Sequence, residues 1–401
     1  MRRTPARLAR GAGLAALAVL LGACASAPAP DGSGDLGLVV GRASGTLTVI
    51  NTTSKQPLGA IAGLGDLSHA SLVYSRDGGH AYVFGRDGAL TKVSLLARRI
   101  EARVQQAGNS IGGAISQDGT LVAAQNYEPG GIKVFDAATL APVADIPATY
   151  EAPGGGTKRS RVVGLAELPG RRFIYSLFDA DQIWIADLSQ PGAPRLTKFT
   201  DIGHQPYDAL LTPDGRHYIS GLFGEDGLAL IDLWAKEPKV RRILAGYGRG
   251  EGKLPVFKMP HLRGWASAGR YFFLPAIGRH EVLVLDRVGW REAARIRVHG
   301  QPVFAVAEPG GRRVWVNFAL PDNDVVQVID VDSMQVVKEL RPGRAVLHLE
   351  FTPRGEQVWV SSRDDDTVVV YDTATYAELA RLPAERPSGI FLTARAARTG
   401  F

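Results

Sequence analysis

FTPRGEQVWVSSRDDDTVVVYD, running from Phe351 to Asp372, is the stretch whose reading decides the fold. An apolar lead-in meets a turn at Pro353-Arg354-Gly355, after which Val358 and Val360, two positions apart, supply one buried face. A polar turn from Arg363 to Thr367 then feeds Val368-Val369-Val370-Tyr371, and the run stops at Asp372. Alternation with period two between Pro, Gly and Asp breakers is the signature of strands joined by tight turns. The same apolar run, closed by Asp or a small polar residue, ends at Asn51, Ser94, Asp136, Asp187, Asp232, Asp286, Asp330 and Asp372. Subtracting neighbouring positions gives spacings of 42 to 54 residues, close to the length of one propeller blade. Eight closures predict an all-β, eight-bladed β-propeller whose blades bury their faces only against their neighbours.

The two ends of the repeat are each incomplete. Leu38 to Asn51 holds two strands with no apolar lead-in before them, whereas Arg386 to Arg395 reads as an inner strand with nothing after it. Pairing the N- and C-terminal strands would close the ring and remove the free sheet edges. Turn residues such as Arg76-Asp77-Gly78-Gly79, Gln117-Asp118-Gly119 and Pro213-Asp214-Gly215 fall between the first and second strands of a unit. Tyr150 to Ser160 and Gly246 to Lys258 are insertions. Gly154-Gly155-Gly156 in the first lacks the Lys-Ser/Thr of a phosphate loop and reads as a mobile loop. No segment after the leader sustains a helical period.

The chain is formally charged +6, but Arg2, Arg3, Arg7 and Arg10 belong to an acid-free leader, and without those four the balance is +2. No basic stripe with interleaved aromatics appears, which excludes a nucleic-acid surface. Ala12 to Leu21 is an apolar run behind a basic start, too short for a permanent bilayer span and suited to a secretory signal. It ends at Leu21-Gly22-Ala23-Cys24, which resembles the lipobox of bacterial lipoproteins and implies cleavage before the chain's single cysteine and lipidation of Cys24. The expected organisation is a signal peptide over 1–23, a lipidated Ala-, Pro-, Gly- and Ser-rich tether over 24–37, and a propeller over 38–401. The expected location is the periplasm, anchored to a membrane, with Ser26 favouring the outer one.

Loops between blades and loops joining second to third strands emerge on one face of a propeller. Of eight histidines, His69, His204, His261, His280, His299 and His348 fall on or near that face, while His80 and His217 follow Asp-Gly turns on the other and read as solvated. Arginines share the first face: Arg42, Arg86, Arg161, Arg263 and Arg344. Guanidinium clamps carboxylates in a planar fork, and imidazole ligates metals. There is no His-Glu-x-x-His, no Gly-x-Ser-x-Gly and no Cys nucleophile. A large ligand bearing both a metal and carboxylates, an iron tetrapyrrole, suits such a face, with an axial His and walls such as Tyr127, Tyr207, Phe257 and Phe304. Without Cys-x-x-Cys-His, a covalent c-type haem is excluded.

GTLTVIN, LGDLSHASLVYS, YVFGRDGAL, NYEPGGIKVFD and GHQPYDALLTPDGRHYISGLFGEDGLALID, in that order, resemble the NirF family of periplasmic haem d1 biosynthesis proteins. More distantly the chain is similar to the d1-haem propeller of cytochrome cd1 nitrite reductase and to NirN. The resemblance implies that His69 is the axial iron ligand and that Arg42, Arg86, Tyr127 and Arg161 line the macrocycle; Arg263, on the same loop face, is read as a further clamp. On the distal side it implies His261, with Asp208 or Tyr207 as acid/base partner and His204 as a substitute for a distal histidine. Leu72 stands where the reductase carries an Arg three residues after its histidine, and no c-haem domain is present. These departures point away from nitrite reduction and toward a late biosynthetic step on a haem d1 precursor, or a non-catalytic carrier that delivers it. Implied partners are the tetrapyrrole, the membrane, the nitrite reductase and NirN.

Overall fold

The computed structural model describes residues 32–190, 194–247, 264–276 and 279–397. The leader, Cys24, His261, Arg263 and Phe257 lie outside the described residues. Eight four-stranded antiparallel sheets form the blades of a ring, as the closures predict. In blades 2 to 8 the first strand is innermost, and innermost strands of neighbouring blades pack together around the axis.

Each of the eight closing residues ends the third strand of its blade and does the same job there. Its side-chain oxygen accepts a hydrogen bond from a backbone N–H two or three residues on: Ser54 to Asn51, Ala97 to Ser94, Ala138 and Thr139 to Asp136, Ser189 to Asp187, Trp234 to Asp232, Val288 to Asp286, Ser333 to Asp330 and Ala374 to Asp372. Asp, Asn and Ser recur because a short acceptor can mimic the next turn of backbone. These hydrogen bonds to the ionised form help hold the Asp136, Asp187, Asp330 and Asp372 carboxyls below their ordinary range.

Buried side chains fall into eight clusters among the described residues, and each cluster is drawn from two adjacent blades. One such cluster joins Val39 and Ile50 of blade 1 to Trp359, Val368 and Val370 of blade 8, so the seam is packed like the other interfaces. Blade 1 takes its innermost strand, Pro387–Leu392, from the chain's end, paired antiparallel to Leu36–Gly41 with Leu38 opposite Phe391. The first strand begins at Leu36, two residues earlier than the tether boundary read from sequence, and Leu36 is buried. Gly37 permits the close approach, since a Cβ there would lie 2.6 Å from Leu392. The Tyr74 hydroxyl donates to the Phe391 carbonyl at 2.6 Å, and Thr393 Oγ1 donates to the Leu36 carbonyl at 2.9 Å.

Three details differ from the sequence reading. Residues 393–397 turn into a 3-10 helix, which lets Arg395 Nε reach the buried Glu350 at 2.9 Å. The glycine-bearing insertion is a hairpin, Thr149–Glu151 against Thr157–Arg159. The two histidines expected to be solvated are engaged: His80 Nε2 lies 3.1 Å from Glu101, and His217 packs edge-on to Trp290 with ring centroids 4.9 Å apart.

Two outcomes are expected. A chain ending at Arg386 loses the innermost strand of blade 1 and its seam; it should lack the cooperative thermal transition of the full chain, and equal melting temperatures by circular dichroism would contradict closure by this strand. The second concerns His348, half-buried on the innermost strand of blade 8. Burial first, then the Arg395 cation, pulls its imidazole from 6.5 down to about 4, against the opposing Glu350. Its Nδ1 accepts the Ile390 N–H at 3.2 Å, a role for the neutral ring. A depressed folded pKa makes the stabilising contribution complete above pH 6.5 and progressively lost as pH falls toward 4. His217 is lowered too and adds a slope of the same sign. Urea unfolding across that window should show a shallower pH dependence in His348→Gln than in the parent protein.

Candidate functional site

The top ends of several innermost strands bulge. The pairing register shifts between Ser110 and Gly112 in blade 3, Val163 and Ala166 in blade 4, Pro206 and Ala209 in blade 5, Pro302 and Phe304 in blade 7, and Val346 and Leu349 in blade 8. Bulges free residues from the ladder and re-aim their side chains. In blade 5 the residues so released are Tyr207 and Asp208, two of the acid/base candidates. Amides left without ladder partners are answered by side chains. Gln125 Oε1 accepts from Leu165, Asn317 Oδ1 from Phe304 and Ser361 Oγ from His348.

Tyr207 meets Tyr127, from the second strand of blade 3, hydroxyl to hydroxyl at 3.1 Å. The pair therefore bridges over blade 4. Phe178 of blade 4 stands edge-on to Tyr207, with centroids 5.9 Å apart, and Phe223 of blade 5 completes the triangle at 5.8 Å and 5.9 Å. Edge-to-face rings at such spacing form a rigid apolar wall. Burial raises both phenols. The Tyr207 proton is held further by the Tyr127 hydroxyl and the Asp208 carboxylate, so Tyr207 stays protonated throughout the neutral range.

Arg161 was expected to clamp a ligand carboxylate. Its guanidinium is instead forked onto Asp179, Nε to Oδ2 at 3.0 Å and Nη2 to Oδ1 at 2.5 Å, and lies 4.3 Å above the Phe178 ring. It stiffens the wall. His204 is exposed. Its Nδ1 is 3.0 Å from Asp181 Oδ2, its backbone N–H donates to Glu225, and a side chain at Gly224 would collide with its ring.

The second half of the site comes from blades 1 and 2. His69 is exposed in a turn of the connection between them, anchored by the buried Leu64 and Leu67. Asp66 in the same connection accepts the Ser68 N–H at 2.8 Å and takes the Arg86 N–H on its carbonyl at 2.8 Å. Its carboxyl is held low by Ser68 first, with Arg86 and Arg42 adding to the effect. Arg86 also acts electrostatically on both phenols, so it links the histidine turn to the aromatic wall. Neither Arg42 nor Arg86 forms a side-chain ion pair among the described residues.

This chain matches the cytochrome D1 heme domain over residues 31–396. It belongs to the cytochrome D1 heme domain family. Within that family it is 60% identical to Protein NirF of Stutzerimonas stutzeri over 381 residues, covering 95% of this chain and 97% of that protein. It is 58% identical to Protein NirF of Pseudomonas aeruginosa, over 96% and 97% of the two chains. Among solved structures it resembles the dihydro-heme d1 dehydrogenase NirN in complex with DHE, with a TM-score of 0.79 and 25% identity, covering 93% of this chain and 78% of that one. The ring alone is also shared with apo AztD from Citrobacter koseri, TM-score 0.62 at 13% identity.

The donor set in this D1 heme domain fits a flat ligand with carboxylates and a metal centre: two guanidiniums without an ion pair among the described residues, an exposed imidazole and a ring wall. Phe178 and Phe223 are the wall residues that sequence reasoning missed. The signal was available, because Leu177-Phe178-Asp179-Ala180-Asp181 and Leu222-Phe223-Gly224-Glu225-Asp226 are the same pattern one blade apart.

Removing either hydroxyl of the phenol pair deletes one partly buried hydrogen bond, so Tyr127→Phe and Tyr207→Phe should each cost about 1 kcal/mol. The double variant should cost little more than either single one, and additive losses in urea unfolding would show that the two hydroxyls are not coupled.

Proposed function

We propose that this protein binds an iron tetrapyrrole of haem d1 biosynthesis on its loop face and takes part in a late step on that macrocycle. The observation that carries this reading is that Arg42 and Arg86, which form no ion pair among the described residues, both act on Asp66 in the connection that presents His69, and Arg86 also acts on the Tyr127–Tyr207 pair. Arginines in a folded protein ordinarily find carboxylates, as Arg161 and Arg344 do here. Two without an ion pair among the described residues, both acting on Asp66, favour a ligand that brings its own carboxylates. Membership of the D1 heme domain family and likeness to a structure solved with DHE support the ligand class.

In this reading His69 offers its imidazole to the iron, and Arg42 and Arg86 hold carboxylate side chains. The wall of Tyr207, Phe178 and Phe223 packs against the ring edge. Tyr207 is a hydrogen-bond donor rather than a base, because its proton is held far above neutral pH. The neighbouring carboxylate of Asp208, released by the same bulge, is the group able to take a proton from a macrocycle substituent. His261, the remaining acid/base candidate, lies outside the described residues.

Purified protein mixed with haem d1, or with its dihydro precursor, should shift the ligand's visible spectrum. His69→Ala should retain binding but lose that shift. Arg42→Ala and Arg86→Ala should each weaken binding roughly 10- to 100-fold, the scale of a charge-assisted hydrogen bond. Asp208→Asn should bind normally and slow conversion of bound precursor. Unchanged conversion in that variant would favour a carrier that hands the macrocycle on, and identical spectra for the parent and His69→Ala would remove the ligand assignment.

A further inference from the structure

The face opposite the ligand loops holds a cleft of about 770 Å³ between blades 5 and 6, lined by none of the residues of the candidate ligand site. Five basic side chains line it against three acidic ones. Arg216 is forked onto Asp232 at 3.0 and 2.6 Å, and Arg270 onto Asp286 at 3.0 and 2.7 Å. Lys239 has only a loose, exposed contact of 3.9 Å with Glu237. Arg241 and Arg287 have no carboxylate within ion-pair distance among the described residues. Arg287 donates to the Gly269 carbonyl instead and lies over the Phe272 ring. With Asp286 counted, five cations meet four carboxylates, and Arg287 also acts on the Asp214 carboxylate, so the cleft keeps one positive charge in excess.

Trp234, 65% exposed, and Val288, 78% exposed, are the two most exposed large apolar side chains among the described residues, and both belong to this region. Val288 lines the cleft, and Trp234 lies 5.9 Å from the Arg216 guanidinium that also lines it. Each occupies the second position after its blade's closing aspartate. The repeat shows that the fold does not require apolar groups there. The same position holds Thr53, Ala138, Ser189, Asp332 and Ala374 in other blades, with Leu96 in blade 2 the exception. The turn is built by the Asp side chain and a backbone N–H, so the residue type at that position is free to vary. Two adjacent blades placing Trp and Val there beside surplus arginine give the composition of a protein interface, where Trp and Arg dominate.

We propose that this cleft and its rim form a docking surface for a different protein that presents an acidic segment carrying a bulky apolar side chain. Acidic groups would meet Arg241, Arg287 and Lys239, while the apolar group packs on Trp234, Val288 and Trp290. A small anion would leave Trp234 and Val288 exposed, since both extend the surface at the rim. A second copy of this chain docking by two-fold symmetry would set the basic cleft against itself, which like charges oppose. The surface is remote from the ligand face, so a partner bound there leaves the tetrapyrrole site open. This inference does not depend on the tetrapyrrole reading.

The test uses the full chain and two fluorescein-labelled peptides, one Asp-rich with a central Leu pair and one with every Asp replaced by Asn, followed by fluorescence anisotropy. The Asp peptide should bind saturably, with affinity falling as salt rises, and the Asn peptide should bind at least roughly tenfold more weakly. Trp234→Ala, Val288→Glu and Arg241→Glu, all exposed and checked for parental melting temperature, should each weaken the Asp peptide by roughly tenfold. Arg42→Glu with Arg86→Glu on the other face should leave it unchanged. No saturable binding, equal binding by all variants, or loss only in the Arg42/Arg86 variant would overturn the assignment. Sedimentation showing self-association that Trp234→Ala abolishes would overturn it in favour of a second copy.

Discussion

The pairing of Pro387–Leu392 with Leu36–Gly41 is the contact on which the rest of the molecule depends. A propeller blade buries its two faces only against its neighbours, so an open ring would leave two blades each with one apolar face in water. The seam is held by ladder bonds, by Tyr74 and Thr393 donating to strand carbonyls, and by the Arg395–Glu350 pair beneath. The terminus after the closing strand is thus part of the core's lower end. Closure also sets the site, because Arg42 lies on blade 1 beside the seam. Its N–H donates to the Arg386 carbonyl, next to the start of the closing strand.

Given a closed ring, the bulges convert a symmetric scaffold into an asymmetric site. An unbulged inner strand presents residues at the pitch of the pleat and cannot place two consecutive side chains off the ladder. The blade 5 bulge does so with Tyr207 and Asp208, and the blade 8 bulge with Leu347 and His348. The side chains that accept from those amides, Gln125, Asn317 and Ser361, come from the second strands of blades 3, 7 and 8, all buried positions where a polar group would otherwise be costly. Those polar residues let the ladder break without orphaned N–H groups, which is why they sit in otherwise apolar strands.

Much of this was legible in the sequence for a definite reason. The closing Asp, Asn or Ser of each blade is a local device, one side chain capping its own turn, so it recurs at blade length and can be counted. The two incomplete ends revealed the closure by the same logic. Candidate residues at loop positions were also legible, since topology alone assigns the face: Tyr127, Tyr207 and Arg86 do come together. What pairing a charged residue finds there was not legible. Arg161 and Arg86 are both single arginines in loops of one face, yet Asp179 claims the first, and nothing local says that it will not claim a ligand's carboxylate instead. The hairpin at 149–159 was missed because its strands are three residues each and too short for a period to register.

The division of arginines between engaged and unengaged is the last step from fold to function. Arg161 and Arg363 are forked onto Asp179 and Asp364 of the same face, and Arg344 pairs with Asp365 through Nε while Nη2 donates to the Asp364 carbonyl. A forked guanidinium keeps its orientation but has much of its charge answered, so it shapes a wall without attracting an anion strongly. Arg42 and Arg86 have Asp66 near enough to feel their charge, yet its carboxylate is occupied by Ser68 and lies beyond ion-pair contact. Attraction for carboxylate is thereby kept beside the turn that carries His69 and reduced where Arg161, Arg344 and Arg363 are answered. A flat ligand with acidic groups along one edge would be drawn in with that edge toward blades 1 and 2 and its opposite edge toward Tyr207 and Asp208. On the proposed reading, the orientation of a bound macrocycle would follow from which aspartates are spent on arginines, and a chemistry that touches one substituent needs that choice to be made before it starts.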